Sequence, residues 1–124
     1  PEDPKFSNLN ISIRDNFESI INHLSYLNDN ASVDHKQNLH NFTAVAKSRG
    51  VDLSAENGNT HGNRAAMAER TINIEGEDVV CEWHTKITYN LGRIHFNFGD
   101  NVPSSVLEQT KGKLIIGILA GHLK

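Results

Sequence analysis

A single cysteine, Cys81, stands in the 124 residues, so no intrachain disulfide can form, and a chain of this length can build a core without such a staple. With no secretory signal in view, the lone thiol points to a reducing, cytoplasmic setting. Methionine and tryptophan occur once each and proline three times. No apolar run is long enough to cross a bilayer, so no membrane association is expected. Positive charge is also scarce. Against 15 Asp and Glu stand 12 Lys and Arg, a formal net charge of −3, which argues against the broadly basic surface of a general nucleic-acid binder. The sequence contains no Walker loop, dinucleotide fingerprint or Gly-x-Ser-x-Gly elbow.

What is present is a hydrophobic fraction of 37%, suited to one domain over residues 1–124, and seven histidines. Charge is unevenly spread: residues 1–78 carry seven Lys and Arg against twelve Asp and Glu, or −5, whereas residues 79–124 carry five against three, or +2. Local rather than net charge sets attraction at a site. The chain opens Pro-Glu-Asp-Pro without an initiator Met, which leads us to expect a processed chain or a piece of a longer protein with an upstream domain.

Residues 1–11 read as a loose lead-in. Ser12 with Asp15 resembles a capping box, and Phe17, Ile20, Ile21, Leu24 and Leu27 then recur on one helical face, predicting a helix over 13–28. After Asn28-Asp29-Asn30, a second helix with the stripe Leu39, Phe42, Val45 and Ala46 is stopped by Gly50. Residues 13–50 are thus expected to form a helical hairpin. The polar, glycine-rich stretch 52–64 reads as a mobile surface loop. From Arg70 the period falls to two. Strands are expected at 71–74, at Val79 to Tyr89 and at Arg93 to Phe98, the last two joined by Asn90-Leu91-Gly92. A helical turn is expected near 104–109, and a final apolar strand over Lys113 to Ala120. This order predicts an α+β fold, with an N-terminal helical hairpin packed on a small antiparallel sheet of about four strands spanning 70–124.

Alternation along the long strand puts Cys81, Trp83, Thr85, Ile87 and Tyr89 on one face and Glu82, His84, Lys86 and Thr88 on the other. With hairpin pairing, Glu82, His84, Lys86, Arg93, His95 and Asn97 come to share one surface. Two imidazoles, two permanent cations and a carboxylate suit cleavage of an RNA phosphodiester, which needs a base for the 2′-hydroxyl, an acid for the leaving oxygen and cations for the phosphorane. We therefore expect His84, His95, Lys86 and Arg93 to be catalytic, and Glu82, Asn97 and His122 to bind substrate. The same pattern fits the solvated outer face of an amphipathic sheet. A two-His metal site with Glu82 can be drawn, but no His-x-x-x-His, Cys-x-x-Cys or acidic cluster supports it, so neither a metal nor another cofactor is expected. His23, His35, His40 and His61 read as surface residues, and Cys81 as a packed thiol.

The layout resembles the RelE/HigB/ParE superfamily of bacterial toxins, through Leu39 to Gly50, Cys81-Glu-Trp-His-Thr-Lys86, Gly92-Arg-Ile-His-Phe96 and Leu114 to Lys124. The likeness extends over about residues 35–124. It implies a ribonuclease domain of the mRNA-interferase kind in a toxin–antitoxin pair serving bacterial defence, with RNA and an antitoxin protein as partners. The family's basic catalytic positions would fall on Lys86 and Arg93, with His84, His95 and His122 as acid–base groups. The leading expectation is metal-independent acid–base cleavage of RNA. An alternative keeps the fold and makes the same face a non-catalytic binding or regulatory module for a phosphate, a nucleotide or a protein partner. A third is a folding or oligomerisation domain.

Overall fold

The computed structural model describes residues 9, 14–56, 62–88 and 92–120. The fold is α+β. Helices α1 (Phe17–Asp29), α2 (Ala31–Gln37) and α3 (Phe42–Ser48) come first, followed by β1 (Leu53–Ala55), α4 (Arg64–Glu69), β2 (Thr71–Ile74), β3 (Glu77–Val80), β4 (Trp83–Lys86), β5 (Arg93–Asn97), α5 (Ser104–Thr110) and β6 (Ile115–Ala120). Strands β1-β4-β5-β6, in that order, make an antiparallel sheet, and β2-β3 make a separate hairpin. Among the described residues no helix is long and apolar enough to cross a membrane.

The helical region differs from the expected pair. In α1 the buried positions are Ile20, His23, Tyr26 and Leu27, so its core stripe is rotated away from Phe17 and Ile21, which stay 56% and 45% exposed. The expected second helix is interrupted at Asn38–Asn41. There the Asn38 side-chain amide donates to the Asp34 carbonyl at 3.0 Å, competing with the helical ladder, and Leu39 turns out to solvent. One buried carboxylate then ties the pieces together. Asp34 Oδ2 accepts from the Tyr26 hydroxyl at 2.8 Å and from Arg49 Nε at 2.7 Å.

These helices cover one face of the large sheet. Leu53, Ile94, Phe96 and Leu119 point into a core shared with Leu27, Phe42, Ala46 and Val51. Each such large side chain contributes roughly 1.5–3 kcal/mol by burial, so this face dominates the stability of the fold. His35 is not a surface residue as expected: its ring stacks on Phe98 at 4.1 Å and meets Trp83 edge-on.

Two further departures place the candidate site. Part of the stretch read as a loop is the edge strand β1, whose Leu53, Ser54 and Ala55 pair with Thr85, His84 and Trp83; residues 57–61 lie outside the described residues. The single long strand expected from Val79 is instead two. At Cys81-Glu82 the chain leaves the β2-β3 hairpin and enters the large sheet, held by Cys81 N donating to Arg70 O at 2.7 Å and Glu56 N donating to Glu82 O at 2.8 Å. The hairpin lies against β6 where the β5–β6 register shifts, His95 facing Ile118 and Phe96 facing Ile116. Gly117 falls in that shift, and a Cβ there would run into Cys81 Sγ and stand 3.0 Å from Ile72 Cδ1, so the close approach requires glycine. Burial pushes the Cys81 thiol up to about 12, against a hydrogen bond from the Gly117 backbone, as suits a packed rather than a reactive sulfur.

Candidate functional site

The β4–β5 register sets His84 opposite His95 and Lys86 opposite Arg93, with Ser54 of β1 beside His84. Because Thr85 and Ile94 are buried with the helices, alternation sends these five side chains to the other face. That face is not the solvated surface that the sequence allows. Arg70, which leads into β2, and Glu56, which follows β1, close over its centre. Glu56 Oε1 lies 3.0 Å from Arg70 Nε, 2.9 Å from His84 Nδ1 and 3.7 Å from His95 Nδ1. The side chains of Glu56 and Arg70 are 5% exposed, that of His95 2% and that of His84 14%.

The electrostatics follow from this burial. Desolvation alone would raise the Glu56 pKa, but hydrogen bonds and positive charge from His84 and Arg70 outweigh it and hold the carboxyl at about 2, so Glu56 is ionised. His95 is driven the other way. Burial lowers its pKa to about 3, with charge from His84, Arg70 and Arg93 adding to the effect and Glu56 opposing it, so the ring is neutral at pH 7. A neutral imidazole carries one donor and one acceptor, yet neither His95 ring nitrogen finds a hydrogen-bond partner among the described residues. His84 is better served, with Nδ1 on Glu56 and Nε2 3.5 Å from Ser54 Oγ; the two imidazole centroids are 5.4 Å apart.

Lys86 is half-buried at the rim, and its backbone N–H donates to the Asp52 carbonyl at 2.8 Å. Arg93 Nη1 donates to the Thr88 carbonyl at 3.0 Å, and burial lowers the guanidinium pKa while Asp52 and Glu56 raise it. The structure therefore brings together four residues expected in the site, His84, His95, Lys86 and Arg93. It does not add Glu82 or Asn97 to them. Glu82 is exposed and lines a cleft of about 300 Å³ with Asp78, Trp83, Asn97 and Asp100, whose negative charge is unsuited to phosphate. The Asn97 amide is occupied in joining the sheets, donating to the Val80 carbonyl at 2.9 Å and accepting from Gly99 N at 2.7 Å. His122 and His61 lie outside the described residues.

Glu56 and Arg70 are the members of the cluster that the sequence did not reveal. The carboxylate expected from Glu82 comes instead from Glu56, and the only local signal is the apolar-polar alternation that begins at Leu53. His23 was expected at the surface and is 3% exposed, its Nδ1 3.0 Å from Thr85 Oγ1 on the helix side of the sheet. His40 is exposed. One donor atom each from Glu56, His84 and His95 falls within 4.8 Å of the others, so these three could hold a metal ion. No family model, curated protein or solved structure matches the chain.

Proposed function

We propose that the domain binds RNA and cleaves its phosphodiesters by side-chain proton transfer at the rim of the polar sheet face. The observation that carries this reading is the 2.9 Å contact of His84 Nδ1 with buried, ionised Glu56, two register positions from the Lys86–Arg93 pair on the same face. A carboxylate on Nδ1 fixes the tautomer in which that nitrogen bears the proton, leaving Nε2 as the base. In the reaction His84 Nε2 takes the 2′-hydroxyl proton as that oxygen attacks phosphorus. The Lys86 ammonium protonates the departing 5′-oxygen, and the products are a 2′,3′-cyclic phosphate and a 5′-hydroxyl. Arg93, anchored on the Thr88 carbonyl, supplies fixed positive charge for the phosphorane. His95, neutral and buried, has a supporting rather than a proton-transferring role.

The test is incubation of the chelator-treated chain with mixed-sequence RNA and with DNA of the same sequence. Cleavage confined to RNA, with cyclic phosphate ends, is expected, and His84→Ala should slow it by about 10²- to 10⁴-fold while circular dichroism stays unchanged. Absence of turnover by the unaltered chain, or an unaffected rate in the folded His84→Ala variant, would overturn the reading. The binding-module alternative draws on one observation: of the two paired imidazoles, His84 alone is partly exposed. It requires RNA or nucleotide retention without turnover, lost when Lys86 and Arg93 are both changed to Ala.

A further inference from the structure

We infer that Glu56, His84 and His95 form a binding site for a single divalent ion of the zinc class. The three donors come from separate segments, the end of β1, β4 and β5, and the fold gathers them from positions far apart in sequence. The independent sign of a ligand is His95. Its side chain is only 2% exposed, both nitrogens lack a hydrogen-bond partner among the described residues, and Nδ1 faces the Glu56 carboxylate at 3.7 Å. Leaving two polar atoms unsatisfied in a core is costly, and an ion between them and the carboxylate removes that cost at one of the two.

The spacing agrees. A zinc ion sits about 2.0–2.2 Å from imidazole nitrogen and carboxylate oxygen, so tetrahedral donors stand roughly 3.3–3.6 Å apart. The observed 2.9 Å and 3.7 Å contacts of Glu56 Oε1 bracket that value. Two imidazoles and one carboxylate form a borderline set that suits Zn²⁺, Co²⁺ or Ni²⁺ and does not suit Ca²⁺ or Mg²⁺, which require mostly oxygen. Arg70 Nε, 3.0 Å from the same carboxylate oxygen, would hold the ligand from outside through ion pairing. Three protein donors leave a fourth position, and the partly exposed His84 marks the side from which the ion arrives.

Occupancy replaces the Glu56–His84 hydrogen bond with two bonds to the metal. For regulation the inference rests on the RNA reading above: with metal on Nδ1, the proton of His84 resides on Nε2, the base is lost, and the ion inhibits. Binding itself does not depend on that reading, and the experiment separates the two. The full chain, stripped with chelator, is titrated with Zn²⁺ against a chromophoric chelator, and with Co²⁺ while visible absorption is followed. One ion per chain with a Kd at or below the micromolar range is expected, together with intense tetrahedral Co²⁺ bands. His95→Ala and His84→Ala should each weaken binding at least a hundredfold, and His40→Ala should not change it. No stoichiometric binding, or full binding retained in folded His95→Ala or His84→Ala, would overturn the site. Stoichiometric binding with undiminished RNA cleavage would keep the site and remove its inhibitory role.

Discussion

On the helix-covered face of the four-stranded sheet His23 is 3% exposed and shares a 3.0 Å hydrogen bond with Thr85; on the opposite face His95 is 2% exposed and shares none among the described residues. The surroundings differ as well. His23 is buried on the same stripe of α1 as Ile20, Tyr26 and Leu27, whereas His95 lies with Glu56, Arg70 and His84. An apolar core tolerates an imidazole when one hydroxyl satisfies it. A face built from charges holds together only if its charges are paired, and there one oxygen of Glu56 faces Arg70, His84 and His95 together. Equal burial thus conceals two kinds of stability, one spread over many side chains and one concentrated in a single carboxylate.

The comparison breaks most sharply at Glu56. Removing it by Glu56→Ala leaves Arg70 buried without its carboxylate and should cost about 3–5 kcal/mol. Phe96→Ala, which deletes the largest fully buried side chain of the helix-covered face, should cost a similar 3–5 kcal/mol by a different route, the cavity it leaves. Urea denaturation with unchanged m-values measures both. A loss below about 1 kcal/mol for Glu56→Ala would mean that the polar face is a set of independent groups rather than one network.

Acid should separate the faces next. His95 has a folded pKa of about 3 against an ordinary 6.5, so between those values the unfolded chain binds a proton that the native chain does not. Stability is therefore complete above about pH 6.5 and is lost as pH falls, on the order of 2 kcal/mol by pH 5 for this group alone in the metal-free chain. The Glu56 carboxyl, depressed to about 2, adds a further loss only below about pH 4.5. His23 is lowered too, by burial against the charge of Asp52, and acts in the same direction. In folded His95→Gln the slope of stability between pH 6.5 and 5 should be much shallower. An unchanged slope would place the titration elsewhere.

The sequence makes the β4–β5 pairing legible, and with it the His84–His95 and Lys86–Arg93 juxtapositions, because alternation over Trp83 to Lys86 and Arg93 to Asn97 admits one register. It does not show where the long run of β-formers breaks, since Val79 to Thr88 contains no Gly, Pro, Asn or Asp to mark the place. The break depends on hydrogen bonds to the Arg70 carbonyl and from the Glu56 amide, residues outside the run itself. Strand β1 is hidden for a related reason: three residues at an edge carry too little pattern to compete with the glycines that follow. Glu56 goes unseen with it, and Glu56 is the buried carboxylate at the centre of the site. His23 was within reach, because it lies three residues after Ile20 and four before Leu27, the spacing of the buried stripe. The average exposure of histidine pointed the other way.

The smallest effect tests whether the faces are independent. Thr85→Val keeps the shape of the strand and removes the hydroxyl that satisfies His23 Nδ1, so that nitrogen loses its partner. The cost should be about 1 kcal/mol, the usual price of one neutral buried hydrogen bond. Thr85 neighbours His84 in sequence but points to the opposite face, so affinity for Zn²⁺ should stay within a factor of two while the denaturation midpoint falls. A Thr85→Val chain that loses metal affinity along with stability would show the sheet transmitting the disturbance from one face to the other, and the two halves of the fold would then have to be treated as one.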